Sequence, residues 1–98
     1  MRSIFKQVIF DGINQVRDVT TVSLLEFEKI LKLDIQKEKV CLWYEVNNMK
    51  PPITLTIRCF GTGYIIEESI YEKLDYINSL SFLNDDLIFH FYLEKNKI

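Results

Sequence analysis

The sequence predicts a mainly β fold: one small antiparallel β-sandwich or barrel of six or seven strands, with at most a short helix. Three observations carry this. Apolar and polar residues alternate at period two through residues 31–36, 40–46 and 53–60. Turn-forming Gly, Pro, Asn and Asp residues separate these runs at roughly ten-residue spacing, which is the rhythm of a sandwich or barrel. Finally, 48% of the 98 residues are hydrophobic and 13% aromatic, enough for a packed core in a single domain spanning 1–98.

In chain order, residues 3–10 (SIFKQVIF) form the first expected strand, with Asp11-Gly12 as its turn signal. A short second strand is expected at 15–19. Residues 20–29 read as a turn or short helix, because Ser23-Leu24-Leu25-Glu26 fits a capping box. Strict alternation from Leu31 ends any such helix by about Lys29. The strands at 30–36 and 40–46 are parted by the charged link Lys37-Glu38 and predict a β-hairpin. Asn47 to Pro52 is a loop by its Asn and Pro content. It leads into the central strand, 53–60, which stops on Gly61-Thr62-Gly63. Residues 64–73 are mixed, and Glu67-Glu68-Ser69 opens one helical turn. Strands at 74–82 and 87–94 follow, joined by a turn at Asn84-Asp85-Asp86, and 95–98 is a frayed tail.

Composition narrows the function. A net charge of −2 supplies no general attraction to nucleic-acid polymers or anionic membranes. The start of the chain lacks an apolar signal-peptide core, and no apolar run reaches membrane-span length, so a cytoplasmic protein is expected. Cys41 and Cys59 are too few for a disulfide framework or a zinc site, and strand parity sets them on opposite faces. One histidine and scattered carboxylates assemble no catalytic set, so neither an enzyme nor a metal or cofactor is expected. The absence of alanine and the wealth of Ile, Lys and Asn are the bias of an AT-rich genome.

Parity identifies a candidate site. Val40, Leu42, Tyr44 and Val46, then Ile53, Leu55, Ile57 and Cys59, then Leu87, Phe89, Phe91 and Leu93 are the core-facing sets. The opposite parity carries Trp43, Arg58, Phe60, Ile88, His90 and Tyr92, a mixture unlike a solvated sheet face. If the three strands are neighbours, this second face is either covered core or a binding surface. As a binding surface it offers Arg58 as the main anion contact beside the Gly61-Thr62-Gly63 turn. Trp43 or Tyr92 would stack on a base, and His90 is a further polar group. Apolar side chains on both parities also predict a homo-oligomer.

The segments 30–36, Val40-Cys41-Leu42-Trp43, Phe60-Gly61-Thr62-Gly63, Asp75-Tyr76-Ile77 and Leu87-Ile88-Phe89-His90-Phe91, with Ile4-Phe5-Lys6, resemble a family of short phage and prophage proteins of unknown function. The chain departs from that family at Tyr64, where His is common, and in its longer 20–29 region. The resemblance implies a phage or prophage origin and a mainly β fold, but no activity. Among small non-enzymatic phage proteins a recurring type is the anti-defence sponge, which sequesters a nucleotide immune signal in the host cytoplasm. The aromatic and Arg58 face fits such a phosphorylated or nucleotide ligand. The alternative is a protein–protein adaptor, either a virion accessory part or an inhibitor of a host protein. A concave pocket holding Arg58, Trp43 and His90 together would favour the small ligand, and a flat aromatic patch would favour the protein partner.

Overall fold

A computed structural model describes residues 1–83 and 86–94 of the chain. Among these residues seven strands form two antiparallel sheets, with one short α-helix and one 3-10 turn, so the mainly β expectation holds. The strands are β1 (Arg2–Phe10), β2 (Val19–Leu24), β3 (Phe27–Gln36), β4 (Lys39–Asn47), β5 (Ile53–Gly61), β6 (Leu74–Phe82) and β7 (Leu87–Glu94); the helix, α1, is Glu68–Tyr71. One sheet has the order β1-β4-β3 and the other β2-β5-β7-β6. The chain divides into two compact units: Met1–Val16 with Val22–Thr54, and Arg17–Thr21 with Leu55–Ile98. No helix among the described residues is long and apolar enough to cross a membrane.

In the first unit β4 is the central strand, and its apolar parity is buried as expected: Val40, Leu42, Tyr44 and Val46 are all at most 5% exposed. The β3–β4 hairpin brings Gln36 opposite Lys39. Lys37 and Glu38 both have positive φ, 52° and 67°, the backbone of a two-residue type I′ turn. That turn follows the right-handed strand twist, so hairpin closure holds two non-glycine residues in a conformation they seldom adopt.

Residues 20–29 are not helical. β2 runs to Leu24, the chain turns at Leu25-Glu26 with Glu26 at φ 51°, and β3 begins at Phe27. The capping-box pattern marked a real reversal but not a helix. Val22 and Leu24 are buried while Ser23 is exposed, and period-two burial in a sheet outweighs one turn of helix, whose nucleation is unfavourable. The strand expected at 15–19 is also displaced. Ile13–Gln15 close a 3-10 turn through Gln15 N–H to Gly12 O and Val16 N–H to Ile13 O, and the strand starts at Val19. Of the Asn84-Asp85-Asp86 turn only Asp86, in a turn, is among the described residues, and 95–98 lie outside them.

Charge stitches the open face of the first sheet. Arg2 Nη1 reaches Glu28 Oε1 and Glu45 Oε1, each at 2.8 Å, and Lys50 Nζ lies 3.3 Å from Glu28 Oε2. Arg2, followed by Lys50, holds the Glu28 carboxyl below the ordinary carboxylate range. The folded form therefore prefers ionised Glu28, and the preference is fully present above the unfolded carboxylate value. It is lost as pH falls through the lowered folded value. Urea midpoints of wild type and Glu28→Gln should differ at neutral pH, and the difference should shrink as pH falls below the ordinary carboxylate range. A difference that persists unchanged in acid would show that Glu28 acts through packing alone.

In the second unit β7 is central, with β5 and β6 on its two sides. Its core side chains are Leu55, Ile57, Cys59, Leu74, Leu80, Phe82 and Phe91, all at most 9% exposed. Cys59 and Cys41 are free, buried thiols. Burial, aided by Asp18, pushes the Cys59 thiol up to about 12, so it is an unreactive packing group at neutral pH.

Candidate functional site

The outer face of the second unit is built by cross-strand register. Phe60, His90 and Ser79 form one row across β5, β7 and β6, and Arg58, Tyr92 and Tyr76 form the next. On a regular strand Tyr76 and Ser79, an odd number of positions apart, would point to opposite faces. A bulge between Tyr76 and Asn78 inserts Ile77, and both side chains then turn to the outer face. Tyr76 Oη accordingly lies 2.6 Å from Ser79 Oγ.

These groups form a continuous chain of hydrogen bonds. Thr62 Oγ1 lies 2.9 Å from His90 Nε2 and 3.4 Å from Ile88 O. On the other side of the ring, Nδ1 lies 2.7 Å from Ser79 Oγ, which continues the chain to Tyr76. Both ring nitrogens of His90 are thus committed to neutral partners. The expected histidine site residue is on this face, but as an orienting group within a packed polar chain.

Beside this chain lies a run of aromatic rings. Tyr92 contacts three others edge-on, with centroids 5.8 Å from Phe60, 6.4 Å from Tyr71 and 5.4 Å from Tyr76. Phe60 continues the run to Tyr64 at 5.2 Å. Phe60 is buried, whereas Tyr64, Tyr71 and Tyr76 are 64%, 48% and 58% exposed and Ile65 is 87% exposed. The second parity of β5 and β7 is therefore neither plain core nor solvated face. It is a tyrosine-rich surface resting on Phe60.

An open cleft of about 240 Å³ sits at the end of β5, lined by Phe60, Gly61, Thr62, Gly63, Tyr64, Ile66, His90 and Tyr92. Of the residues singled out in the sequence, Gly61, Thr62, Gly63, His90 and Tyr92 are gathered here. Arg58 is not in the lining: its guanidinium carbon lies 5.3 Å over the Phe60 ring, and Nε donates to Asp18 O at 3.4 Å. Trp43 is in β4, on the other sheet, with Lys32 Nζ 5.6 Å over its ring. The premise that β4, β5 and β7 are neighbours in one sheet is thereby corrected, because β4 pairs with β1 and β3. Tyr64, Ile66, Ser79 and Tyr76 are additions the sequence reading missed. Tyr64 had a signal in its position directly after the glycine turn, whereas Tyr76 and Ser79 depend on a bulge with no mark in the sequence.

The turn itself is a type II turn closed by Tyr64 N–H to Gly61 O at 3.1 Å, with Gly63 at φ 92°. Thr62 N–H is bound to Ile88 O at 3.3 Å, so the amides of Thr62 and Tyr64 are spent within the protein. The turn gives the cleft its shape more than it supplies anion-binding donors. Gly63→Ala should cost roughly 1–2 kcal/mol through backbone strain, although a Cβ there meets nothing within 4 Å. Gly61→Ala should be close to neutral, since its Cβ meets only Phe89 at an ordinary 3.7 Å. Equal urea midpoints for the two variants would contradict this account.

Electrostatically the described part of this unit is acidic. Arg17, Arg58 and Lys73 stand against Asp18, Glu67, Glu68, Glu72, Asp75, Asp86 and Glu94. Glu67, Glu68 and Glu72 cluster on and beside α1, next to Tyr71. Among the described residues no group of three or more His, Cys, Asp or Glu is placed to hold a metal ion.

No curated protein and no solved structure matches the chain. A family model described as a domain of unknown function (DUF7352) matches residues 1–98. Over its whole given length, the chain belongs to the DUF7352 family.

Proposed function

We propose that this protein is a non-enzymatic binding module whose working surface is the tyrosine face of β5, β6 and β7, and whose partner is a protein segment. The observation that carries this is the run of exposed rings over Phe60, set in an acidic unit. Tyrosine-rich surfaces offer large rigid contact area with little rotamer entropy to lose. The acids around the face oppose a free polyanion such as a dinucleotide. Of Arg58, Trp43 and His90, the trio expected to define a nucleotide pocket, only His90 lines the cleft at the end of β5. We read the protein as an adaptor or inhibitor acting in a host cytoplasm; its resemblance to phage and prophage proteins and its Ile-, Lys- and Asn-rich, alanine-free composition support that setting.

One observation favours a second reading, sequestration of a nucleotide signal. The cleft of about 240 Å³ has ring walls and His90 and Thr62 at its edge. It is below the usual range of about 300–1,000 Å³ for drug-sized sites, so it would take one base and leave the rest of a dinucleotide outside. Selecting peptides from a displayed random library, and titrating cyclic dinucleotides in parallel by calorimetry, separates the two. Peptides whose amide shifts map to Tyr71, Tyr76 and Tyr92 support the adaptor reading. Saturable nucleotide binding without any peptide binder replaces it with the sponge.

The expected homo-oligomer has its support in β1. This nine-residue strand lies at the edge of its sheet, with Ile4, Phe5 and Val8 65%, 48% and 39% exposed. A long apolar edge left open is an aggregation hazard, and pairing with β1 of a second copy would cover it. Light scattering at tens of micromolar should give a dimer, and Ile4→Lys should give a monomer with unchanged circular dichroism. A monomeric wild-type protein would overturn the dimer.

A further inference from the structure

We propose that the tyrosine face takes a proline-rich, basic segment of its partner in the polyproline II conformation. This deepens the adaptor reading and rests on it. The first ground is the ring geometry. Tyr71 and Phe60 stand edge-on to Tyr92 at interplanar angles of 71° and 67°, with centroids 6.4 and 5.8 Å away. Rings packed edge-on in this way present a ridged surface of alternating edges and faces instead of a flat platform, which suits compact apolar residues better than a stacked base. A polyproline II chain advances about 3.1 Å per residue, so two residues span about one ring-to-ring spacing.

The second ground is hydrogen bonding. Polyproline II has no internal hydrogen bonds, and its carbonyls need outside donors while its prolines offer none. The hydroxyls of Tyr64 and Tyr71 are exposed and take no hydrogen-bond partner among the described residues. They are donors directed by rigid rings, the arrangement that recognises such a backbone.

Charge supplies the third ground. Glu67, Glu68 and Glu72 lie along the segment that carries Tyr71. An Arg or Lys beside the prolines would meet these carboxylates, whereas an acidic segment would be repelled. Because the pairs are exposed, they choose the partner and its direction more than they add affinity.

The test uses the full chain labelled with nitrogen-15 and a synthetic peptide of roughly ten residues with proline at every third position and two arginines, as polyproline II ligands have. The expected result is saturable amide shifts at Tyr64, Tyr71, Tyr76 and Tyr92. Replacing the prolines by glycine, or the arginines by glutamate, should weaken binding by about tenfold or more. Tyr71→Ala should weaken it to a similar extent, while Tyr71→Phe, which keeps the ring and loses only the hydroxyl, should cost about threefold to tenfold. Equal binding of the glycine peptide on the same residues would overturn the polyproline assignment and keep the adaptor reading. Failure of every peptide, including library-selected ones, to shift Tyr71, Tyr76 and Tyr92 would remove both.

Discussion

Phe91→Ala should remove about 3–5 kcal/mol of stability, the largest single effect expected in this protein. Phe91 is fully buried in β7, the strand that pairs with both β5 and β6, opposite Cys59 on one side and Asn78 on the other. Truncating it removes the transfer free energy of a phenyl ring and leaves a cavity that three hydrogen-bonded strands cannot close by moving together. Domains of this size are stable by only about 5–15 kcal/mol, so the loss is a large share of the total. With a urea slope of about 1–2 kcal/mol/M, the midpoint should fall by roughly 1.5–5 M. The internal control is Ile88→Ala on the same strand. Ile88 is 37% exposed and should cost under about 1.5 kcal/mol, since much of its surface already meets water. Comparable losses for Phe91 and Ile88 would mean that the burial of β7 is wrongly described.

Tyr92→Ala should be the most damaging change on the outer face, costing about 2–4 kcal/mol and abolishing binding of the proposed partner segment. Its ring touches Phe60, Tyr71 and Tyr76, and aromatic pairs contribute about 0.5–1.5 kcal/mol each beyond area burial. Tyr92 is only partly buried, so no full core cavity opens, and the ring contacts are most of the effect. Tyr92→Phe should retain the stability to within about 1 kcal/mol, because it keeps the ring. A double-mutant cycle with Tyr76→Ala should give a coupling of about 0.5–1.5 kcal/mol, whereas a coupling near zero would deny that the rings act together. Stability and binding must be measured on the same samples, since the alanine variant perturbs both.

The two predictions divide along the line between sequence and tertiary structure. Phe91 was legible as core from period alone. Alternate residues of a strand face opposite sides, and Phe89, Phe91 and Leu93 fall on the apolar parity of a run bounded by turn residues. The same logic located the hairpin at Lys37-Glu38, the glycine turn that ends β5, the α1 turn and the bounds of β6 and β7. Local chemistry settles these features, and it is written in consecutive residues.

Tertiary structure decided which strands are neighbours and where regular alternation breaks. Nothing in the alternation of β4 says that it pairs with β1 and β3 rather than with β5, and Trp43 left the candidate site for that reason. The helix-like Ser23-Leu24-Leu25-Glu26 became the end of a strand and a turn, because sheet burial of Val22 and Leu24 outweighs a local cap. Arg58 and Tyr92 were correctly placed on one face by parity, but only register set Tyr92 among three other rings and Arg58 over Phe60. The bulge at Ile77 is the clearest case. A single inserted residue reverses the parity of everything beyond it, and this brings Tyr76 and Ser79 to the same face as His90. Period-two reading assumes an unbroken count, and a bulge is set by the pairing of two strands, a quantity that one strand's sequence does not contain.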